Sequence, residues 1–168
     1  MKQYNVGIIG ATGMVGQRFA TLLENHPWFN VKVLAASARS AGKTYEEAVG
    51  ERWAMTTPMP ESMKNIIIMN ATEDIQKIAG MVDFCFCAVD MKKDEIKALE
   101  EAYAKAECPI VSNNSANRHT PDVPMVVPEI NPDHIEVIHA QRKRLGTKRG
   151  FIAVKSNCSI QSYVPALH

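Results

Sequence analysis

The chain has 168 residues, 46% of them hydrophobic and 22% charged, with a formal net charge of +1. That balance is ordinary for a folded globular protein able to bury a sizeable core, and the near-neutral charge excludes a surface built for nucleic acid or an anionic membrane. No run approaches the roughly 18 consecutive apolar residues of a membrane helix. The start, MKQYNVGIIGATG, goes directly into a strand pattern without a signal-peptide core. Four cysteines occur with no C-x-x-C pair and no zinc-like Cys/His grouping, so a reduced, cytoplasmic protein is expected.

In chain order, YNVGIIG reads as a strand and MVGQRFATLLENH as a helix ending near His26-Pro27. VKVLAASA is a second strand and NIIIMNAT a third, while Arg52 to Met63, RWAMTTPMPESM, reads only as a surface connection with two prolines. EDIQKIAG reads as a short helix closing on Gly80, and VDFCFCAV as a strand apolar on both faces, as inside a covered parallel sheet. MKKDEIKALEEAYAKAE is a helix with Asp90 as its expected cap and Ile96, Leu99 and Tyr103 on one side. PIVSN is a further strand, followed by an Asn- and Pro-rich loop, NNSANRHTPDVPMVVPEINPD. A helix from about Pro132 to Leu145 follows, with Asn131 as cap, Pro132 first and Gly146 as its stop. The basic run Arg142 to Arg149 is expected to be a solvated helix end. FIAVK, a break at Ser156-Asn157 and helical spacing from Ile160 complete the chain. The alternation predicts a doubly wound α/β domain of Rossmann type, a mostly parallel sheet with helices on both faces.

The first strand runs into glycines at 10, 13 and 16, a G-x-x-G-x-x-G spacing placed directly before a helix. Such glycines permit a tight turn and close approach of backbone to a pyrophosphate at the positive end of that helix. The second strand ends in Ala35, Ala36 and Ser37, followed by Arg39, Ser40 and Lys43. An NAD site usually carries an acidic residue there; hydroxyls and cations instead attract a 2′-phosphate, so NADP is the expected cofactor. The bland alternative is that Arg39 and Lys43 are ordinary surface charges. A short-chain dehydrogenase shares a similar loop but needs a Tyr with Lys four residues on, and Tyr45 and Tyr103 are followed by Val49 and Glu107.

Cys158 falls at a strand-to-helix junction, where unpaired N–H groups and the helix dipole favour a thiolate. Cys85 and Cys87, among apolar neighbours, read as core residues. A nucleophilic cysteine used with a nicotinamide suits aldehyde oxidation through a thioester, with amides at the helix start as an oxyanion hole.

The segments GIIGATGMVGQRF, LAASARSAGK, SNNSANRHTPDVPMVVPEIN and SNCSI, in this order, resemble the aspartate-semialdehyde dehydrogenase family in its archaeal and fungal-like branch. The resemblance implies that Cys158 carries the acyl thioester and that Gly10, Thr12, Gly13, Met14, Val15 and Gly16 line the pyrophosphate of NADP. It places Ser37, Arg39 and Ser40, with Lys43, near the 2′-phosphate and Ala88 near the nicotinamide ribose. Arg118 and Asn157 would hold substrate phosphate; a loop salt bridge is the plain alternative for Arg118. The implied reaction is reversible reductive dephosphorylation of aspartyl phosphate to aspartate semialdehyde, by a homodimer or homotetramer. Residues 1–155 would form the NADP-binding domain and 156–168 the start of the cysteine helix.

Two departures from the family pattern stand out. Ile160 occupies a position where Thr is frequent, and family members continue well past His168 into a second domain that supplies the acid/base histidine. None of the five histidines here suits that role, so this polypeptide is expected to bind NADP without steady turnover. The rivals are an acyl-CoA reductase on the same scaffold, such as malonyl-CoA reductase, and a nucleotide-binding module without chemistry.

Overall fold

The β-branched run at Tyr4–Ile9 forms strand β1, fully buried from Val6 onward, with β2, Phe29–Ala36, beside it in parallel. The structure, a computed structural model, describes residues 2–168 and divides into two compact units, Met1–Asp90 and Met91–His168.

In the first unit β3 (Met69–Asn70) and β4 (Phe84–Cys87) flank the pair, giving the order β3-β2-β1-β4, every strand parallel. Helix α1 spans Met14–Leu23 and buries Gly16, Ala20 and Leu23, the i, i+4, i+7 stripe that a 3.6-residue period puts on one side. Its core joins Val6, Ile8 and Leu34 of the strands to Ala20, Tyr45, Val49, Met63 and Ile68. Phe19, Phe29, Phe84 and Phe86 pack beside that core, Phe19 stacking on Phe86 at 5.0 Å.

The helix stops earlier than its sequence pattern. Asn25 takes a positive φ of 53°, and His26 Nδ1 accepts from the backbone N–H groups of Trp28 and Phe29, turning the chain into β2. The third strand is only two residues long: Ile68 before it bonds instead to the loop that precedes α2, accepting from Gly42 N–H and donating to Lys43 O. Helix α2 (Tyr45–Val49) starts with a capping box, Thr44 accepting from Glu47 N–H and Glu47 from Thr44 N–H. The stretch Arg52–Met63, expected to be a bare connection, runs at its end into helix α3 (Glu61–Lys64). Helix α4, Ile75–Met81, leads into β4, where Cys85 and Cys87 are buried and the two phenylalanines half-buried.

The second unit has β5 (Ile110–Ser112), β6 (Met125–Val126) and β7 (Ile152–Lys155), parallel in the order β5-β7-β6. Helix α5 (Lys93–Lys105) buries Ile96, Leu99 and Tyr103 as expected, but its cap is Lys92, not Asp90. Glu95 reaches back to Lys92 N–H at 3.2 Å, which sets the first turn two residues later. The helix expected from Pro132 is a 3₁₀ segment to Val137 that becomes helix α6 only at Ile138–Leu145. Asn131 does not cap it with its side chain: Oδ1 accepts from Val127 N–H and Nδ2 donates to Met125 O, so it holds β6 instead. Gly146 ends α6 in the left-handed region at φ 72°, the expected stop.

The basic run that closes α6 is largely exposed, as expected, and two of its arginines also find partners. Arg144 donates to Asp122 and Glu101, both also in this unit, and Arg142 lies over the Phe151 ring at 5.3 Å. Glu107, itself at φ 61°, accepts from the backbone N–H groups of Lys148, Arg149 and Gly150. Those bonds hold its carboxyl down at about 2, against an ordinary 4.5. A carboxyl depressed on folding contributes stability above its unfolded value and loses it as pH falls through the folded one. We therefore expect Glu107→Gln to lower the melting temperature at pH 6, with the gap to wild type closing between pH 4.5 and 2. Thermal melts across that range check it; a gap independent of pH would refute the assignment.

No helix among the described residues is long and apolar enough to cross a membrane, and none of their His, Cys, Asp and Glu side chains gather in threes for a metal.

Candidate functional site

At the carboxyl end of β1 the chain turns through Gly10–Gly13 into α1. Gly10 N–H and Ala11 N–H both donate to Ala35 O, tying the turn to the end of β2. Gly10 has φ 87°, and a Cβ there would meet Ala88 O at 2.5 Å. Gly16 faces the turn so closely that a Cβ would run into Gly10 O and lie 2.7 Å from Ala11 Cα. Gly13 is different: an added Cβ would only touch Gly10 O at 3.5 Å, so space on its outer side is left open. Two of the three glycines are therefore required by the fold, and the third keeps the approach to the helix clear.

Gly13 precedes α1 without a side-chain cap, so the first-turn N–H groups of Met14 and Val15, both exposed, have no side chain to satisfy them. That end of α1 suits an anion. The turn after β2 lies next to it through Ala35. Ser37, Arg39 and Lys43 are exposed there, whereas Ser40 is 6% exposed, its N–H donating to Ser37 O. Ala88 follows β4, its N–H bonded to Ile9 O. Gly10, Thr12 to Gly16, Ser37 to Lys43 and Ala88 thus gather at the carboxyl ends of β1, β2 and β4, the end where parallel α/β sheets hold ligands. No carboxylate stands at the end of β2, so the cradle fits a dinucleotide carrying a 2′-phosphate.

In the second unit, Asn157 caps helix α7 (Cys158–Leu167), its Oδ1 accepting from Ser159 N–H at 2.9 Å. Cys158 is the first helical residue. It is exposed, while Cys85, Cys87 and Cys108 are all buried. No residue of α7 is buried, and Ile160, Tyr163 and Leu167 present apolar surface. Arg118 comes to the same end of β7: its Nε donates to Lys155 O at 3.2 Å and Nη2 to Asn113 O at 3.4 Å. Among the described residues it forms no salt bridge; both of these partners are carbonyls.

Glu100 escaped the sequence reading. It is fully buried on α5 and accepts from Ser112 Oγ at 2.5 Å, Asn117 Nδ2 at 2.7 Å and Asn114 Nδ2 at 3.4 Å. Three neutral donors satisfy this carboxylate, and all lie on the segment that leads to Arg118. The loop is thus held from beneath by α5. The signal available in sequence was weak: one acidic residue on the apolar side of α5, and a cluster of short polar residues after β5.

Residues 5–138 match the family model described as "Semialdehyde dehydrogenase, NAD binding domain". The chain is similar to proteins named aspartate-semialdehyde dehydrogenase: 40% identical to that of Aspergillus fumigatus over 92% of this chain and 40% of the relative. With that of Methanothermobacter thermautotrophicus it shares 43% identity over 92% of this chain and 42% of the relative. Among solved structures, aspartate semialdehyde dehydrogenase with NADP from Candida albicans superposes with a TM-score of 0.85 at 37% identity, covering 99% of this chain and 46% of that one. The chain spans less than half the length of these relatives.

Proposed function

The chain belongs to the semialdehyde dehydrogenase NAD-binding family, and on that basis we propose that it binds NADP and is the cofactor-binding and nucleophile-bearing part of an aspartate-semialdehyde dehydrogenase. The observation that carries this reading is Cys158, exposed at the first position of α7, where every other cysteine is buried. Bound NADP supplies the two-electron acceptor for aldehyde oxidation. The chain's residues supply the rest. The Cys158 sulfur adds to the carbonyl carbon, and the first-turn N–H groups of α7 that Asn157 does not take, those of Cys158 and Ile160, are the donors for the oxygen that gains charge. Once oxidised, that carbon is held as a thioester on Cys158. Phosphate then attacks the thioester carbon, the S–C bond breaks and aspartyl phosphate leaves. Arg118 and Asn157 hold the phosphate, the guanidinium by its paired N–H groups. A reduced, cytoplasmic setting suits such thiol chemistry.

The reverse acyl transfer tests this without turnover. β-Aspartyl phosphate is expected to acylate Cys158, with phosphate released and the aspartyl mass found on the peptide that carries it. Acylation by malonyl-CoA in its place would move the reading to an acyl-CoA reductase, and acylation by neither would defeat it. Cofactor choice is checked separately. NADP is expected to bind at least about 10-fold tighter than NAD, and Arg39→Ala to remove most of the difference, since a charge-assisted contact contributes on the order of 1.5–3 kcal/mol. Equal affinities in wild type would count against a 2′-phosphate site.

A further inference from the structure

The glycine turn is gripped from beneath by two buried side chains that no part of the reaction uses. Tyr45, fully buried on α2, donates its hydroxyl to Ala11 O at 2.9 Å. Burial pushes that hydroxyl well above the usual tyrosine range, so it stays a donor. Gln17, 2% exposed on α1, donates through Nε2 to Thr12 O at 3.1 Å and to Arg52 O at 3.0 Å, and its Oε1 accepts from Ala54 N–H at 2.7 Å. Two carbonyls can only accept and one amide N–H can only donate, so this network admits a single orientation of the glutamine amide.

We propose that Tyr45 and Gln17 are positioning residues for the dinucleotide pyrophosphate: they set which way the peptide groups of the glycine turn face, and Gln17 couples pyrophosphate binding to order in Arg52–Ala54. The proposal rests on the reading of the turn as an NADP site.

The argument is one of peptide geometry. In a trans peptide the C=O and the following N–H point in opposite directions, and no peptide bond among the described residues is cis. With Ala11 O drawn inward by Tyr45, the N–H of Thr12 faces outward. Thr12 O is drawn in likewise by Gln17, and Gly13 N–H closes the turn on Gly10 O at 3.1 Å. The outward face is then left with the N–H of Thr12 and those of Met14 and Val15, a concave row of donors suited to an anion. Without the two inward bonds the Ala11 carbonyl is a buried acceptor, and the Thr12 carbonyl a part-buried one, each short of the partner that holds it inward. A peptide flip would relieve it by turning the oxygen toward the ligand, and an oxygen there repels phosphate.

Gln17 also carries the effect sideways. The segment it holds leans on Tyr45 through Trp53, whose ring meets the tyrosine edge-on at 6.3 Å, and Trp53 Nε1 donates to Thr57 O at 2.8 Å. A ligand that locks Thr12 therefore steadies Ala54 through one amide group.

Two ligand probes and two variants decide the matter. NADP reads the whole site, whereas adenosine 2′-monophosphate reads only the end near Ser37, Arg39 and Lys43. Gln17→Met, close in volume but without polar groups, and Tyr45→Phe are each expected to raise the Kd for NADP about 10-fold while leaving that for adenosine 2′-monophosphate within about 2-fold. In wild type, NADP is expected to slow amide exchange at Ala54, and in Gln17→Met that slowing disappears. Should Gln17→Met fail to fold, Tyr45→Phe, which removes a single hydroxyl, carries the test of the turn with the same expected pattern for the two probes, and the slowing of Ala54 exchange by NADP in wild type carries the test of the coupling. An NADP Kd within about 2-fold of wild type in folded variants, or equal weakening of both probes, overturns the proposal. A wild-type chain that binds neither probe overturns the NADP reading and this proposal with it.

Discussion

Gly16→Ala is expected to lose measurable NADP binding and to destabilise the chain by about 2–3 kcal/mol, the upper range for forcing extra volume into a packed site. The added Cβ would run into Gly10 O and lie 2.7 Å from Ala11 Cα, both backbone atoms with no rotamer to escape into. Relief requires α1 to move off the turn, which takes the first-turn N–H groups of Met14 and Val15 away from the position where they face an anion. Gly13→Ala is the matched control. Its Cβ would make only a 3.5 Å contact inside the protein, so the fold should tolerate it at a cost below about 1 kcal/mol. Its new methyl points instead toward the space a pyrophosphate needs, so binding should suffer without stability following. Urea denaturation and NADP titration of the two variants separate the effects. A Gly16→Ala protein with the wild-type urea midpoint would show that the turn and helix are less closely packed than described.

The second large effect concerns sulfur. Iodoacetamide is expected to label Cys158 at least about 100-fold faster than Cys85, Cys87 or Cys108, which lie 0–1% exposed and react only when the structure opens. Replacing the neutral reagent by anionic iodoacetate brings in Arg118. Its guanidinium is anchored to Lys155 O, three residues before the cysteine, and forms no salt bridge among the described residues. A charge interaction near 1 kcal/mol gives about 5-fold in rate, so Arg118→Ala should slow iodoacetate by about that factor and leave iodoacetamide unchanged. Mass spectrometry of the labelled peptides reads both rates. Equal labelling of buried and exposed cysteines, or a variant that slows both reagents alike, contradicts this picture of the α7 terminus.

Much of this architecture was legible because its signals are local. The β-branched runs before Gly10, the paired cysteines of β4 and the i, i+3, i+7 stripe of α5 each specify an element from within a few residues. Misreadings arose where a side chain had a distant or unexpected partner. Asn131 looked like a cap and is instead the clamp of β6. The cap expected at Asp90 lies at Lys92 instead, whose N–H donates to Glu95 three residues on. The run Arg142–Arg149 ends α6 and stays largely exposed, as expected, but within it Arg144 pairs with Glu101, 43 positions away. Thr44 and Glu47 carry a capping box in the sequence itself, but the helix it starts is only five residues long and has no apolar period to announce it.

The candidate site divides in the same way. Gly10, Gly13 and Gly16 before a helix, the acid-free end of β2 and a cysteine at a strand-to-helix junction are properties of short segments, so sequence alone determined the cofactor class and the candidate nucleophile. Which glycines are indispensable, which of four thiols meets solvent, and what holds the turn and the Arg118 loop were decided only by tertiary packing. Burial, and the pairing of Gln17, Tyr45 and Glu100 with backbone and side chains up to 37 residues away, depend on where other elements come to rest. Spacing within a segment reports what an element can bury or bind; only the folded chain decides which polar groups are left without water and must find one another.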